Sequence, residues 1–127
     1  MKQIIAIIRM NKLNTTKHAL AVAGFPAVTC RKVLGRGKKK VDYELINSML
    51  SGFEISKPQI AEGISEGHRL IPKRQLMIVV RDEEVDEAVK IIIEQNRTKC
   101  PGDGKIFIIP IERAVRVRTG EVNELAL

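Results

Sequence analysis

Three features of this 127-residue sequence predict an α+β sandwich. Short β-branched runs and stretches of helical period alternate in the order β-α-β and again β-α-β. A segment over about residues 37–70 holds no sustained period and separates the two halves. The length suits one domain, residues 1–127, whose core needs neither disulfides nor metal to fold.

The first run, Ile4, Ile5, Ile7 and Ile8, has the pattern of a strand buried on both faces. Residues 11–23 follow as a helix, with Leu13, Ala19, Leu20 and Ala23 at helical spacing and Gly24 as its stop. Residues 27–34 form the second strand, closed by Gly35-Arg36-Gly37. The segment beyond opens on Lys38-Lys39-Lys40 and is broken by Gly52, Pro58, Gly63 and Gly67. An irregular stretch of this length in a compact domain is usually functional, and it is expected to be a projecting loop.

Leu76-Met77-Ile78-Val79-Val80 is the third strand. Asp82 is placed to cap the next helix, and Glu83, Glu84 and Asp86 suit its first turn, where the helix dipole favours negative charge. Val85, Ala88, Val89, Ile92 and Ile93 make its apolar stripe. Ile106-Phe107-Ile108-Ile109 is the fourth strand, and Pro110, which cannot donate to a ladder, marks an edge or an end. Val115 and Val117 alternate with Arg116 and Arg118 in a final extended segment. This order gives the ferredoxin-like β-α-β-β-α-β sandwich, an antiparallel sheet with both helices on one face. The other face also carries few polar residues, so self-association is its simplest cover.

Apolar residues make up 44% of the chain and charged residues 29%, an ordinary globular mixture. No apolar run approaches a membrane span, and Arg9 interrupts the N-terminal apolar stretch, so that stretch is a buried strand and the protein is expected in the cytoplasm. The net charge of +7 favours anionic partners. Cys30 and Cys100 are far apart and, with His18 and His68, show no zinc-type spacing, so both are expected to be plain reduced thiols.

Candidate chemistry gathers in three basic, glycine-flanked segments. Pro101-Gly102-Asp103-Gly104-Lys105 can turn tightly and offer backbone N–H groups to an anion, with Lys105 adding a point charge. Arg116 and Arg118, two apart in an extended segment, would leave the same face as parallel forks suited to a polyphosphate. Gly35-Arg36-Gly37-Lys38 repeats the combination of close approach and positive charge. Each has a plainer alternative, a simple turn or a solvated edge. No nucleophile with a His base, no paired carboxylates and no metal cluster stand out, which argues against an enzyme.

Gly102-Asp103-Gly104-Lys105-Ile106-Phe107 followed by Arg116-Val117-Arg118-Thr119-Gly120-Glu121 resembles the C-terminal signature of PII nitrogen-regulatory signal proteins. The first strand up to Arg9, Lys12-Leu13, Gly24, Thr29, Gly35-Arg36-Gly37 and Ile71-Pro72-Lys73 agree with the same family. Gly24-Phe25-Pro26-Ala27 and the long altered loop make it similar to the PII-like proteins of nitrogen-fixation gene clusters, of the second-paralogue type.

The resemblance implies a homotrimer with an ATP/ADP site in each cleft between subunits. Residues 102–105 would hold the phosphates, Arg116 and Arg118, with Val117 between them, would reach across the interface, Thr29 and Val79 would border the adenine, and Gly35, Gly37 and Lys38 would lie close to the nucleotide. Lys73 matches a lysine that contacts 2-oxoglutarate. Lys38 and Lys39 stand where the family usually has arginine and glutamine, which leaves magnesium and 2-oxoglutarate binding open, and Tyr43 stands too near the start of the loop for uridylylation. The loop, with Met49, Leu50 and Phe53 as apolar contacts, would dock on the dinitrogenase component of nitrogenase, and a PII-like paralogue is a further possible partner. Two alternatives are an RNA-binding module and a slow nucleotide-phosphate hydrolase. The first is disfavoured by a chain with three Phe, one Tyr and no Trp, since such modules stack bases on sheet aromatics.

Overall fold

The computed structural model describes residues 1–37 and 70–127; Lys38, Met49, Leu50 and Phe53 lie outside the described residues. The elements are β1 (Lys2–Arg9), α1 (Leu13–Val22), β2 (Thr29–Gly35), β3 (Ile71–Val80), α2 (Val85–Asn96) and β4 (Lys105–Pro110). The four strands form one sheet in the order β2-β3-β1-β4. β1 runs antiparallel to both β3 and β4. This is the expected α+β arrangement. The chain divides into two compact units, one of 1–33 with 72–127 and one of 34–71. Of the second unit only 34–37 and 70–71 are described.

Alternation along the central strand decides where the core lies. Ile4, Ala6 and Ile8 of β1 pair in register with Ile78, Leu76 and Arg74 of β3, and Ile4 and Ala6 also face Ile108 and Ile106 of β4. Ile4, Ala6, Ile8, Leu76, Ile78 and Val80 are buried with Leu20 of α1, Ala88 and Ile92 of α2, and Phe25. Full burial of such a side chain contributes roughly 1.5–3 kcal/mol, so this layer carries the stability of the domain.

The opposite face carries Ile5, Ile7, Met77, Val79, Phe107 and Ile109, and no helix covers it among the described residues. On this face Ile5 and Ile7 of β1 are half-buried and Phe107 of the neighbouring β4 is 48% exposed, so β1 is not buried on both faces within one chain, contrary to the expectation from its isoleucines.

α1 ends through a left-handed glycine. Gly24 has φ +96°, its N–H donates to the Ala21 carbonyl at 3.1 Å, and the Phe25 N–H donates to the Leu20 carbonyl at 2.8 Å. Phe25 and Leu20 both sit in the core, completing a Schellman end. The two helices are also joined by polar atoms. Asn96 donates through Nδ2 to Thr16 Oγ1 at 3.0 Å and to the Ile92 carbonyl at 2.8 Å, and Thr16 in turn donates to the Lys12 carbonyl at 2.7 Å.

Several boundaries differ from the sequence expectation. β2 begins at Thr29, two residues later than expected. β3 begins at Ile71, five residues before Leu76. Pro72 is tolerated there because pairing with β1 starts only at Lys73, opposite Arg9. Asp82 does not cap the second helix. Its carboxylate accepts from the Met1 ammonium at 2.8 Å, which holds its carboxyl below the ordinary range, while Glu84 accepts from the Arg81 N–H at 2.9 Å. In the stripe of α2, Ile93 is 36% exposed, and Ile91 packs against the core in addition to Val85 and Val89. Among the described residues, no helix is long and apolar enough to cross a membrane, and no cluster of His, Cys, Asp and Glu could hold a metal. Cys30 and Cys100 are both free and exposed.

Candidate functional site

The turn from α2 into β4 stands at the sheet end where β1 finishes and β3 pairing starts, since Arg9 faces Lys73 and Ile7 faces Lys105. Its backbone requires its glycines. Gly102 has φ +96° and Gly104 φ +119°, and a Cβ on Gly104 would overlap the carbonyl oxygen of Ile7. The loop therefore lies against β1 with no room for a side chain at that point.

Asp103 points into the loop and gathers donors. Its Oδ2 accepts from the Thr98 N–H at 2.8 Å and the Lys99 N–H at 3.0 Å. Its Oδ1 accepts from Thr98 Oγ1 and from Arg9 Nη1. The Thr98 hydroxyl, the Thr98 N–H and the Arg9 guanidinium together hold the carboxyl well below the usual carboxylate range. Arg9 Nη2 donates to the Pro101 carbonyl at 3.0 Å, and Lys73 Nζ to the Gly102 carbonyl at 2.8 Å. Burial, and secondarily the Arg9 charge, lower the Lys73 pKa against the opposing pull of Asp103. The residues of the expected phosphate loop are thus brought together, along with Lys73. Asp103 serves as an internal staple, its charge met by donors of Thr98, Lys99 and Arg9.

Arg116 and Arg118 do not sit in one extended segment. The Arg116 N–H donates to the Glu121 carbonyl at 2.8 Å, and the Gly120 N–H donates back to the Arg116 carbonyl at 2.8 Å. Val115 bridges Val122, Val117 is 99% exposed, and Gly120 has φ +72°. The segment is a small hairpin turned by Gly120, so alternation does not place the two guanidinium groups on one face. Arg116 donates from Nη1 to Glu121 Oε2 at 2.7 Å and from Nη2 to the Leu127 carbonyl at 3.1 Å. Arg118 is exposed.

The register also separates the expected site residues within one chain. Val79 faces Gln3, six positions along β1 from Arg9, or about 20 Å at the usual strand rise. β4 leaves the sheet at that same far end, where Pro110 faces Lys2, before the chain continues to Arg116. Thr29 opens β2 and is exposed. Gly35 and Gly37 belong to the second unit, and a Cβ on either would meet nothing within 4 Å.

Beside the loop, a groove of about 380 Å³ runs between α2 and β4. Its walls include Val89, Ile92, Ile93 and Ile108, and Asn96, whose buried Oδ1 has no hydrogen-bond partner among the described residues. Arg97, Asp103, Gly104 and Lys105 also line it.

Arg9 and Thr98 are the site residues that the sequence reading passed over. Thr98, five residues before Asp103, carried a local hint, because a carboxylate at a glycine turn commonly accepts from nearby backbone N–H groups. Arg9 carried none, since its partner lies 94 residues away.

The profile of the family described as nitrogen regulatory protein P-II matches residues 1–121. The chain is 47% identical over 129 residues to the nitrogen fixation nifHD region GlnB-like protein 2 of Methanothermococcus thermolithotrophicus, covering 100% of this chain and 98% of that protein. It is 44% identical over 128 residues to the nifHD1 region GlnB-like protein 2 of Methanosarcina barkeri, covering 100% and 99%. The nitrogen regulatory protein P-II 2 of Methanothermobacter thermautotrophicus is 37% identical over 134 residues, with 100% and 97% covered. With the fold and the glycine loop in agreement, this chain belongs to the P-II family of nitrogen regulatory proteins.

Proposed function

We propose that the chain is a nucleotide-sensing regulator of nitrogen fixation that binds ATP or ADP at a site shared between copies of itself and acts on nitrogenase through residues 37–70. The observation that carries the reading is the turn at residues 101–105, held against β1 by side chains from two strands. A turn already ordered loses little entropy on meeting a phosphate. Arg116 and Arg118 supply the remaining charge from a neighbouring copy, a sharing favoured by the placement of Val79 and the β4 exit at the far end of the sheet. The uncovered face with Phe107, Ile109 and Val79 gives copies an apolar surface to join, and a closed trimer covers it. The nitrogen-fixation names of the relatives support the choice of nitrogenase as target. The protein acts in the cytoplasm, with 2-oxoglutarate as a further ligand near Lys73.

Calorimetry with ATP and ADP, with and without magnesium and 2-oxoglutarate, tests the ligand reading. Binding should be weakened by about 1.5–3 kcal/mol in an Arg116→Ala, Arg118→Ala double variant, the range for charge-assisted hydrogen bonds. Unchanged affinity excludes the arginines from the site. Light scattering should give three times the chain mass at micromolar concentration, and a monomer mass would contradict the shared site. Replacing residues 39–69 by a short glycine-serine linker should preserve ATP binding and abolish inhibition of nitrogenase. Full inhibition by that variant would place the effector surface elsewhere.

A further inference from the structure

We propose that Arg9 is a positioning residue for the phosphate-binding loop, acting through Asp103 and the Pro101 carbonyl without touching the nucleotide; the assignment rests on the nucleotide reading above. Arg9 is the last residue of β1, so its Cα is fixed by pairing with Lys73 of β3. Its guanidinium uses both arms on the loop. Nη1 reaches Asp103 Oδ1 and, at 3.3 Å, Thr98 Oγ1, while Nη2 reaches the Pro101 carbonyl at 3.0 Å. Its charge is met by the Asp103 carboxylate, so it offers little net attraction to a phosphate.

Lys73, directly across the register, grips the next carbonyl of the loop, that of Gly102. Two successive carbonyls are therefore drawn toward cations at the sheet end. No peptide bond among the described residues is cis, and in a trans peptide the N–H points opposite to the C=O. Holding the Pro101 carbonyl thus turns the Gly102 N–H away from the cations, and holding the Gly102 carbonyl does the same for the Asp103 N–H. Among the described residues neither N–H has a backbone acceptor. Adjacent outward N–H groups are the elements of a backbone anion nest. Arg9 sets one of these two peptide planes and also anchors Asp103, which pins the loop's start through Thr98 and Lys99. A lysine at position 9 would keep the charge but could not form the two-armed grip.

The test compares Arg9→Gln, Arg9→Lys, Asp103→Asn and the Arg9→Gln, Asp103→Asn double variant by calorimetry with ATP and with adenosine, which lacks phosphates. Arg9→Gln should weaken ATP about tenfold, the lower end for losing a charge-assisted hydrogen bond, and leave adenosine unchanged. Arg9→Lys should not restore ATP affinity, and the double variant should be no weaker than the weaker single variant. Equal losses for ATP and adenosine would make Arg9 a general fold residue and overturn the assignment. Full rescue by Arg9→Lys, or additive losses in the double variant, would make it a direct phosphate contact and also overturn it. If Arg9→Gln does not fold, Asp103→Asn alone must show the ATP-selective loss, and unchanged ATP affinity in that variant refutes the proposal. Absence of ATP binding by the parent protein removes the nucleotide reading itself, whereas parent binding with unaltered variants removes only the role of Arg9.

Discussion

The loop at residues 101–105 and the hairpin at 115–122 share features of composition: each is short, carries at least one cation beside a carboxylate and is turned by glycine. Their supports differ. The loop is held by contacts from Arg9 and Lys73, 94 and 29 residues distant in sequence from Asp103 and Gly102. Among the described residues the hairpin is held by near neighbours in sequence, with Arg116 bonded to Glu121 and Leu127, five and eleven residues away. A turn tied to two strands inherits their rigidity, whereas a turn tied to its own neighbours can shift as a unit. Similar residue types are thus held from two strands in one place and from near neighbours in the other, which suits the proposed site that a second copy would complete.

Glycine replacement separates the two turns most sharply. Gly104→Ala combines φ +119° with overlap on the Ile7 carbonyl, so β1 or β4 must move. It should cost about 3 kcal/mol or more and lower the melting temperature by well over 10 °C, or prevent folding. Gly120→Ala has φ +72° with nothing within 4 Å of the new Cβ, and should cost only about 1 kcal/mol. Equal melting temperatures for the two variants would mean that the loop is no better anchored than the hairpin.

The hairpin ion pair should contribute still less to stability. Arg116 and Glu121 are 35% and 43% exposed as side chains, so Glu121→Gln should change unfolding free energy by about 0–1 kcal/mol in denaturant titration. Because Glu121 occupies the Arg116 guanidinium, the same variant should leave ATP affinity unchanged or raise it. A clear loss of ATP affinity would show that Glu121 holds Arg116 in its binding position.

Acid provides the finest distinction. The Asp103 carboxyl is lowered in the folded protein, first by the Thr98 hydroxyl, then by the Thr98 N–H and Arg9. A carboxyl with a lowered folded pKa contributes stability that is fully present above the ordinary aspartate value of about 3.9 and is lost progressively as pH falls from there through the lowered value. The Asp103 carboxyl carbon should therefore show no NMR titration between about pH 6 and pH 3, spanning that ordinary value. The Thr98 and Lys99 amides should stay protected from exchange over the same range. Ordinary titration near pH 4 would mean that the staple is open in solution.

How much of this was legible beforehand follows from the range over which each signal acts. The β-α-β order, the glycine stop of α1, the stripe of α2 and Pro110 as the last residue of an edge strand arise from periods and turn chemistry within a few residues, and these could be read directly. The glycine loop was also visible, because two glycines around one residue mark a tight turn, and the φ of +96° at Gly102 and +119° at Gly104 are values that side chains rarely adopt. Arg116 and Arg118 misled, since alternation of valine and arginine fits a strand and a hairpin arm equally until Gly120 turns the chain.

The sequence by itself determined the elements, their order and the positions where only glycine serves, because those depend on local sterics and on the burial period. Tertiary structure alone decided that Arg9 meets Asp103, that Thr16 meets Asn96 across 80 residues, and that β3 starts at Ile71. Each of these depends on register and on helix placement over the sheet, quantities that follow from packing the whole core and are written in no single segment.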